Sequence, residues 1–333
     1  MKAVLQEQHG SAEVLSIGET DRPVPGDDQV VIKVAATTVN RADIIQREGN
    51  YNQPPGDSPI LGLEVAGVVD ELGPGVSGFK VGERVMSLVG GGGYAEYASA
   101  YASHLMRIPE SLSFEQAACV CETYITAYLN VYVLGRLKDG ETVLLHGGGG
   151  GVNTSAIQLC MTLTPKVTVI VTASPGKVDR VRELGADHVI DYKSADFSEA
   201  VRTATDKKGV DIILDHIGGA YLRQNLKSLA VGGRLVVIGL MGGAKSEVNL
   251  APLMVKRQQI LGSVLRSRPV EEKAAITTEF NQVVVPLFAH GRIEPLIYQI
   301  LPLEAVTEAH RTMESSAHFG KICLLYTSPS PRD

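Results

Sequence analysis

The sequence predicts an α/β chain in two parts: a mainly β, barrel-like region over about residues 1–120, then a doubly wound region of parallel strands and helices. Three observations carry this. Short Val-rich runs broken by Gly- and Pro-bearing turns fill the first part, strands alternate with helices from about residue 141, and five consecutive glycines separate a buried strand from a helix. Size and composition agree. A chain of 333 residues with 44% hydrophobic and 20% charged residues folds, and its length suggests about two domains.

In the first part, alternating runs at 30–36 (VVIKVAA), 64–71 (EVAGVVDE) and 83–88 (ERVMSL) read as strands. The stretches PVPGDDQ, QPPGDSP, GPGVSG and VGGGGYAEY are the turns between them. Strands follow at 141–147, 167–173, 188–192, 210–216, 234–240 and 259–264, with helices at 152–163, 177–184, 197–205 and 222–229. That alternation implies a parallel sheet covered on both faces. After Arg268 come a helix at 271–288, a strand at 297–301, a short helix at 303–313 and a strand at 320–324, too little for a third domain. The tail 325–333 lacks any core pattern and is expected to be disordered and foreign to the native chain.

Charge and cysteine content exclude several functions. With 31 Lys+Arg against 37 Asp+Glu there is no net basic field for nucleic acid or an anionic membrane. No apolar run approaches the ~18 residues of a membrane span. The opening MKAVLQEQHGSAEVL meets Gly and charge too early for a signal peptide. Four cysteines, two of them as Cys119-x-Cys121, fit neither a disulfide framework nor a zinc ribbon. A reducing, cytoplasmic setting is expected.

The glycine run 147–151 follows the strand ending at His146 and opens the next helix. Glycine lets backbone approach a ligand, and a helix N-terminus offers unpaired N–H groups with a positive dipole end. A dinucleotide pyrophosphate is what such a turn holds, with Gly150, Gly151 and Val152 nearest. The second strand ends Thr172-Ala173-Ser174 with Lys177 beyond, and carries none of the acid that would bind a ribose diol. Ser174 and Lys177 suit a 2′-phosphate, so NADPH is expected, with NADH as the weaker alternative.

At this point the sequence resembles the zinc-independent quinone oxidoreductases of the medium-chain dehydrogenase/reductase superfamily, the p53-inducible type most closely. The segments are 40–51 (NRADIIQREGNY), 54–67 (PPGDSPILGLEVAG), 122–127 (ETYITA), 214–219 (LDHIGG), 239–243 (GLMGG), 265–268 (LRSR) and 320–322 (GKI). The resemblance implies a split, mainly β GroES-like catalytic domain (1–123 and 265–324) around an inserted Rossmann domain (124–264). It also implies a homodimer through the Rossmann edge strands. No metal is expected, because Asn40 and Leu63 stand where zinc relatives have Cys and His, and neither can supply a thiolate or imidazole.

The resemblance further implies NADPH-dependent reduction of a quinone, or another small electrophile, by direct hydride transfer from nicotinamide C4. Tyr51 is then a hydrogen-bond or proton donor, and Asn40 orients the acceptor or the carboxamide. Thr126, Tyr192, Gly239, Leu240, Met241, Leu265, Arg266, Ser267 and Lys321 match cofactor positions. Two other functions fit the same residues. One is reduction of activated alkenes (2-enals or enoyl thioesters), with Tyr51 as proton donor. The other is a low-turnover NADPH-binding redox sensor or crystallin-like protein. Gly150 in place of Ser, Asn153 in place of the last turn Gly, and His318 in place of Asn are departures expected to affect cofactor affinity.

Overall fold

A computed structural model of the chain describes residues 1–326. It divides into two compact units, Met1–Ile125 together with the segment from Arg266 onward, and Thr126–Leu265. The first unit opens with an antiparallel hairpin, β1 (Lys2–Gln6) and β2 (Leu15–Glu19), followed by the long β3 (Gln29–Val39). Helix α1 (Arg41–Arg47) begins where β3 ends, and the Asp43 carboxylate accepts the Asn40 N–H at 2.8 Å. Then come β4 (Glu64–Leu72), β5 (Arg84–Leu88), β6 (Tyr97–Tyr101) and β7 (Leu105–Arg107). Helices α2 (Phe114–Ala118) and α3 (Cys121–Tyr128) close this stretch. Ser113 caps α2, its hydroxyl accepting from the Gln116 N–H at 3.3 Å.

The second unit is a six-stranded parallel sheet of β8 (Thr142–His146), β9 (Thr168–Ala173), β10 (His188–Asp191), β11 (Val210–Asp215), β12 (Leu229–Val237) and β13 (Gln259–Gly262). The spatial order is β10-β9-β8-β11-β12-β13, so the order reverses between β8 and β11. Helices α4 (Gly151–Leu163), α5 (Val178–Glu183), α6 (Phe197–Ala204), α7 (Leu222–Ser228) and α8 (Leu250–Val255) connect the strands. Leu144, Ile170, Ile213 and Leu235 are fully buried with Phe197 and Leu226. Each such side chain contributes roughly 1.5–3 kcal/mol. The strand expected at 234–240 starts and ends earlier. At Gly239 the chain passes so close that a Cβ would meet the His216 carbonyl at 3.0 Å, and the backbone leaves the sheet there.

The chain then returns to the first unit. The helix expected at 271–288 is two, α9 (Val270–Val283) and α10 (Val285–Ala289), because Pro286 cannot donate the hydrogen bond that would continue α9. Strand β14 (Ile297–Pro302), helix α11 (Val306–Ser315) and strand β15 (Lys321–Leu325) follow. The sheet runs β14-β15-β3-β4-β5-β7, with β6 also on β3, so the last strand lies beside the first long one. Order extends further than expected. Leu325 belongs to β15, and Tyr326 donates its N–H to the Ala35 carbonyl at 3.0 Å while its ring packs on both cores of this unit. The rest of the expected tail, 327–333, lies outside the described residues. Among the described residues no helix is long and apolar enough to cross a membrane.

Candidate functional site

In the second unit the glycine run forms the turn from β8 into α4. Gly147 has φ +77°, a conformation other residues rarely adopt, and its N–H bonds the Thr172 carbonyl at 2.9 Å. A Cβ on Gly148 would come within 2.5 Å of Val171, and one on Gly149 within 2.4 Å of the Lys177 stem. The Lys177 Nζ lies 3.1 Å from that same Gly149 Cβ position, so its ammonium sits over the turn. The N–H groups of Gly149, Gly151 and Val152 find no backbone acceptor among the described residues. Asn153, where the close-packing glycine was expected, is buried. Its amide nitrogen donates to the His146 carbonyl and, at 3.2 Å, to that of Gly147, tying the turn shut.

Gly150 differs from its neighbours. At φ −81°, ψ 156° it caps α4 in ordinary extended backbone, and a Cβ there would meet nothing nearer than the Gly147 carbonyl at 3.6 Å. Gly150→Ser should therefore stabilise the cofactor-free chain by a few tenths to about 1 kcal/mol, by adding a helix cap and restricting the unfolded chain. Urea denaturation reads this directly, and a destabilised variant would show that the position is not open.

Ser174 precedes the short turn Pro175–Lys177 at the end of β9. Tyr192, 40% exposed, follows β10, and its N–H points at the Ala173 carbonyl at 3.3 Å. The nearby acid, Asp191, is engaged by the Lys193 N–H at 2.9 Å and the Ser194 hydroxyl at 2.8 Å. Gly239, Leu240 and Met241 lie in the loop after β12, where Leu240 and Met241 are exposed. The Met241 N–H bonds the His216 carbonyl at 3.1 Å. The Thr126 backbone carbonyl, on α3, accepts the Asn130 side-chain amide at 2.7 Å, and Leu265 is buried at the end of this unit.

The first unit gathers a different set. Lys321, 4% exposed, donates to Asn40 Oδ1 at 2.6 Å and to Glu64 Oε1 at 2.9 Å. Asn40 Nδ2 donates to Glu64 Oε1 at 3.1 Å, the Thr38 hydroxyl bonds the same oxygen, and Glu64 Oε2 accepts the Glu122 N–H at 2.7 Å. Burial works against the Lys321 ammonium, but Glu64 and neighbouring acids outweigh it and raise its pKa. The partly buried Glu122 carboxyl is pushed up to about 8, by desolvation first and then by Glu64. Two residues expected at the site, Asn40 and Lys321, thus meet in this buried cluster, bonded to one another and to Glu64.

Arg266 is anchored in the same unit. It is 7% exposed, donates from Nε to the Gly90 carbonyl at 2.9 Å and from Nη1 to Gln46 Oε1 at 2.7 Å, and lies 5.2 Å from the Tyr51 ring centre. Its guanidinium is anchored by those two acceptors and faces the Tyr51 ring. Tyr51 is half-buried, and desolvation, with Glu122, raises its pKa despite the opposing Arg266 charge. The hydroxyl therefore stays protonated at neutral pH. Ser267 is exposed. Sequence reasoning did not single out Glu64 or Glu122. The available signal was a charged residue heading or interrupting an apolar run, as in GLEVAGVV and GKICLL.

Comparison with known proteins places these parts. Residues 26–110 match the family described as "Alcohol dehydrogenase GroES-like domain", and residues 151–281 the one described as "Zinc-binding dehydrogenase". Together they define an oxidoreductase of the medium-chain dehydrogenase/reductase class. The "Quinone oxidoreductase" of Rattus norvegicus is 34% identical over 98% of this chain and 98% of its own. The "Synaptic vesicle membrane protein VAT-1 homolog" of the same organism is 33% identical over 91% of this chain and 78% of its own. The chain belongs to the quinone oxidoreductase family.

Among solved structures, the Escherichia coli quinone oxidoreductase complexed with NADPH superposes with a TM-score of 0.89 at 29% identity, covering 98% of this chain and 100% of that one. An NAD-dependent alcohol dehydrogenase gives 0.86 at 31%, covering 98% and 100%. The JamJ enoyl reductase gives 0.87 at 26%, covering 97% and 98%. Among the described residues, no three His, Cys, Asp or Glu side chains form a group able to hold a metal ion.

Proposed function

We propose that this protein reduces quinones with NADPH and without a metal. The observation that carries the reading is the glycine turn, with its unpaired N–H groups and the Lys177 ammonium over it, in a chain 34% identical to quinone oxidoreductases along nearly its whole length. The residues fit the cofactor. Gly149, Gly151 and Val152 N–H groups would hold the pyrophosphate, and Ser174, Lys177 and Tyr192 the 2′-phosphate. Gly239–Met241, Thr126 and the 265–267 segment are the proposed nicotinamide side. NADPH, when bound, supplies two electrons and one hydrogen as a hydride equivalent. Tyr51, kept protonated by burial and faced by Arg266, gives a hydrogen bond or proton to the acceptor oxygen. Asn40 acts at one remove, by holding Lys321 and Glu64. No metal is proposed, because the carbonyl and carboxylate oxygens a cation would need already hold the Lys321 ammonium.

Purified enzyme should oxidise NADPH in the presence of ortho- or para-quinones, and faster than NADH. The absence of any quinone-dependent loss of absorbance at the cofactor band would sink the proposal. Alkene reduction is the second reading, supported by the protonated Tyr51 and the fold likeness to an enoyl reductase. Tyr51→Phe separates the two. A proton-donating role costs alkene reduction about 100-fold or more, whereas quinone reduction should fall less than about tenfold.

We further propose a homodimer through β13. It ends the parallel sheet, with Ile260 42% exposed, and α8 presents Leu250 and Met254 at 66% and 73%. Sedimentation should find a dimer at micromolar concentration, and Ile260→Lys should weaken it at least about tenfold. A monomeric parent enzyme would remove this proposal.

A further inference from the structure

His146 ends β8 immediately before the glycine turn and is fully buried, yet it belongs to none of the proposed cofactor contacts. Its ring packs edge-on against Phe197 and Tyr221, with ring centres 4.8 and 4.9 Å away, and those two rings also touch each other. Nδ1 lies 3.1 Å from the Thr172 hydroxyl, and Nε2 lies 2.7 Å from Asn225 Oδ1. The Asn225 amide nitrogen donates to Asp215 Oδ2 at 3.1 Å, so its oxygen must accept from His146. That fixes the neutral tautomer with the proton on Nε2, leaving Nδ1 to accept from Thr172. Burial pushes the His146 pKa down to about 3, in keeping with a ring that stays neutral.

Both ends of this chain of bonds terminate in loop backbone. On one side the Thr172 hydroxyl oxygen accepts the Gly147 N–H at 3.2 Å. On the other, Asp215 accepts the N–H groups of Ile217 at 2.7 Å and Gly218 at 3.1 Å. The 217–219 loop is bonded in turn to the next one, with Gly219 N–H to the Gly243 carbonyl at 2.8 Å and Gly242 N–H to the Ile217 carbonyl at 2.6 Å. Every donor along the line points the same way, from Gly147 to the Asp215 carboxylate, an arrangement in which each bond polarises the next. The line crosses the sheet where the strand order reverses, between β8 and β11.

We propose that His146 is a positioning residue that sets the glycine turn at 147–151 against the loops at 215–219 and 239–243. Two separate stretches of backbone then meet the dinucleotide already in register, and less ordering is left to the binding step. The proposal rests on the reading of this unit as the NADPH site.

The test uses the whole enzyme, with NADPH binding followed by cofactor fluorescence in the absence of any acceptor. His146→Leu, which breaks both ring bonds, should weaken NADPH at least tenfold. Thr172→Val, which cuts the hydroxyl link between His146 and the turn while the Thr172 carbonyl keeps the Gly147 N–H, should weaken it about threefold to tenfold. The double variant should bind no worse than His146→Leu alone, since the line is already broken. Val201→Ala, in the core of the same unit but off the line, controls for simple destabilisation and should stay within twofold of the parent. Amide hydrogen exchange supplies a readout independent of the cofactor. Thr172→Val and His146→Gln should speed exchange at Gly147 or at Ile217 and Gly218, each at the loop whose link is cut. Unchanged exchange there, or a loss of binding in Val201→Ala equal to that in His146→Leu, overturns the proposal. If the parent protein binds no NADPH, the functional reading fails while exchange still tests the line of bonds.

Discussion

Lys321→Met should lower the unfolding free energy by about 3–5 kcal/mol, the usual cost of stranding one partner of a buried ion pair. Glu64 is 0% exposed, and its Oε1 would lose the ammonium at 2.9 Å while keeping only Thr38 and Asn40 as neutral donors. Glu64→Gln in the same chain should restore a large part of the loss, because it removes the stranded charge. Circular dichroism with urea titration measures both variants. A loss under about 1 kcal/mol, or a double variant no better than the single, would falsify the account of the cluster.

Lys177→Ala should cost NADPH affinity about 10- to 100-fold while leaving NADH within about threefold, as expected on losing a charge-assisted contact to the extra phosphate. The structure makes this a sharp choice, because the ammonium lies over Gly149 as well as near the end of β9. Were Lys177 to serve the pyrophosphate instead, both cofactors would lose affinity equally. Fluorescence titration of the two nucleotides against parent and variant decides the matter. Equal losses would assign the 2′-phosphate to Ser174 and Tyr192 alone.

The second unit was legible in the sequence because its information is local. A buried parallel strand is a continuous apolar run, and ETVLLHG followed by five glycines states both the strand and its turn. Pro286 shows the limit of periodicity, since the apolar pattern continued through a residue that cannot continue a helix. Helices α1 and α2, of seven and five residues, were too short to show a period at all. The cluster in the first unit was illegible for a different reason. Lys321 meets Asn40 across 281 positions and Glu64 across 257, and only the pairing of β15 with β3 brings them together. The family resemblance placed Asn40 at the site, and its bonds to Lys321 and Glu64 could be read only from the fold.

The pairing of β15 with β3 also sets an order of events during synthesis. Thr126–Leu265 is one continuous stretch, so every strand of its sheet is translated before β15. The other unit cannot finish. Its long third strand waits for a neighbour made only after the whole of the other unit, and Glu64 waits equally long for its ammonium. A chain halted shortly before Lys321 would carry one finished domain and one open sheet edge with an unpaired acid in its interior. Quality control during translation would have to recognise that state, and premature stops in the final strand should behave as aggregation-prone proteins rather than as slow enzymes.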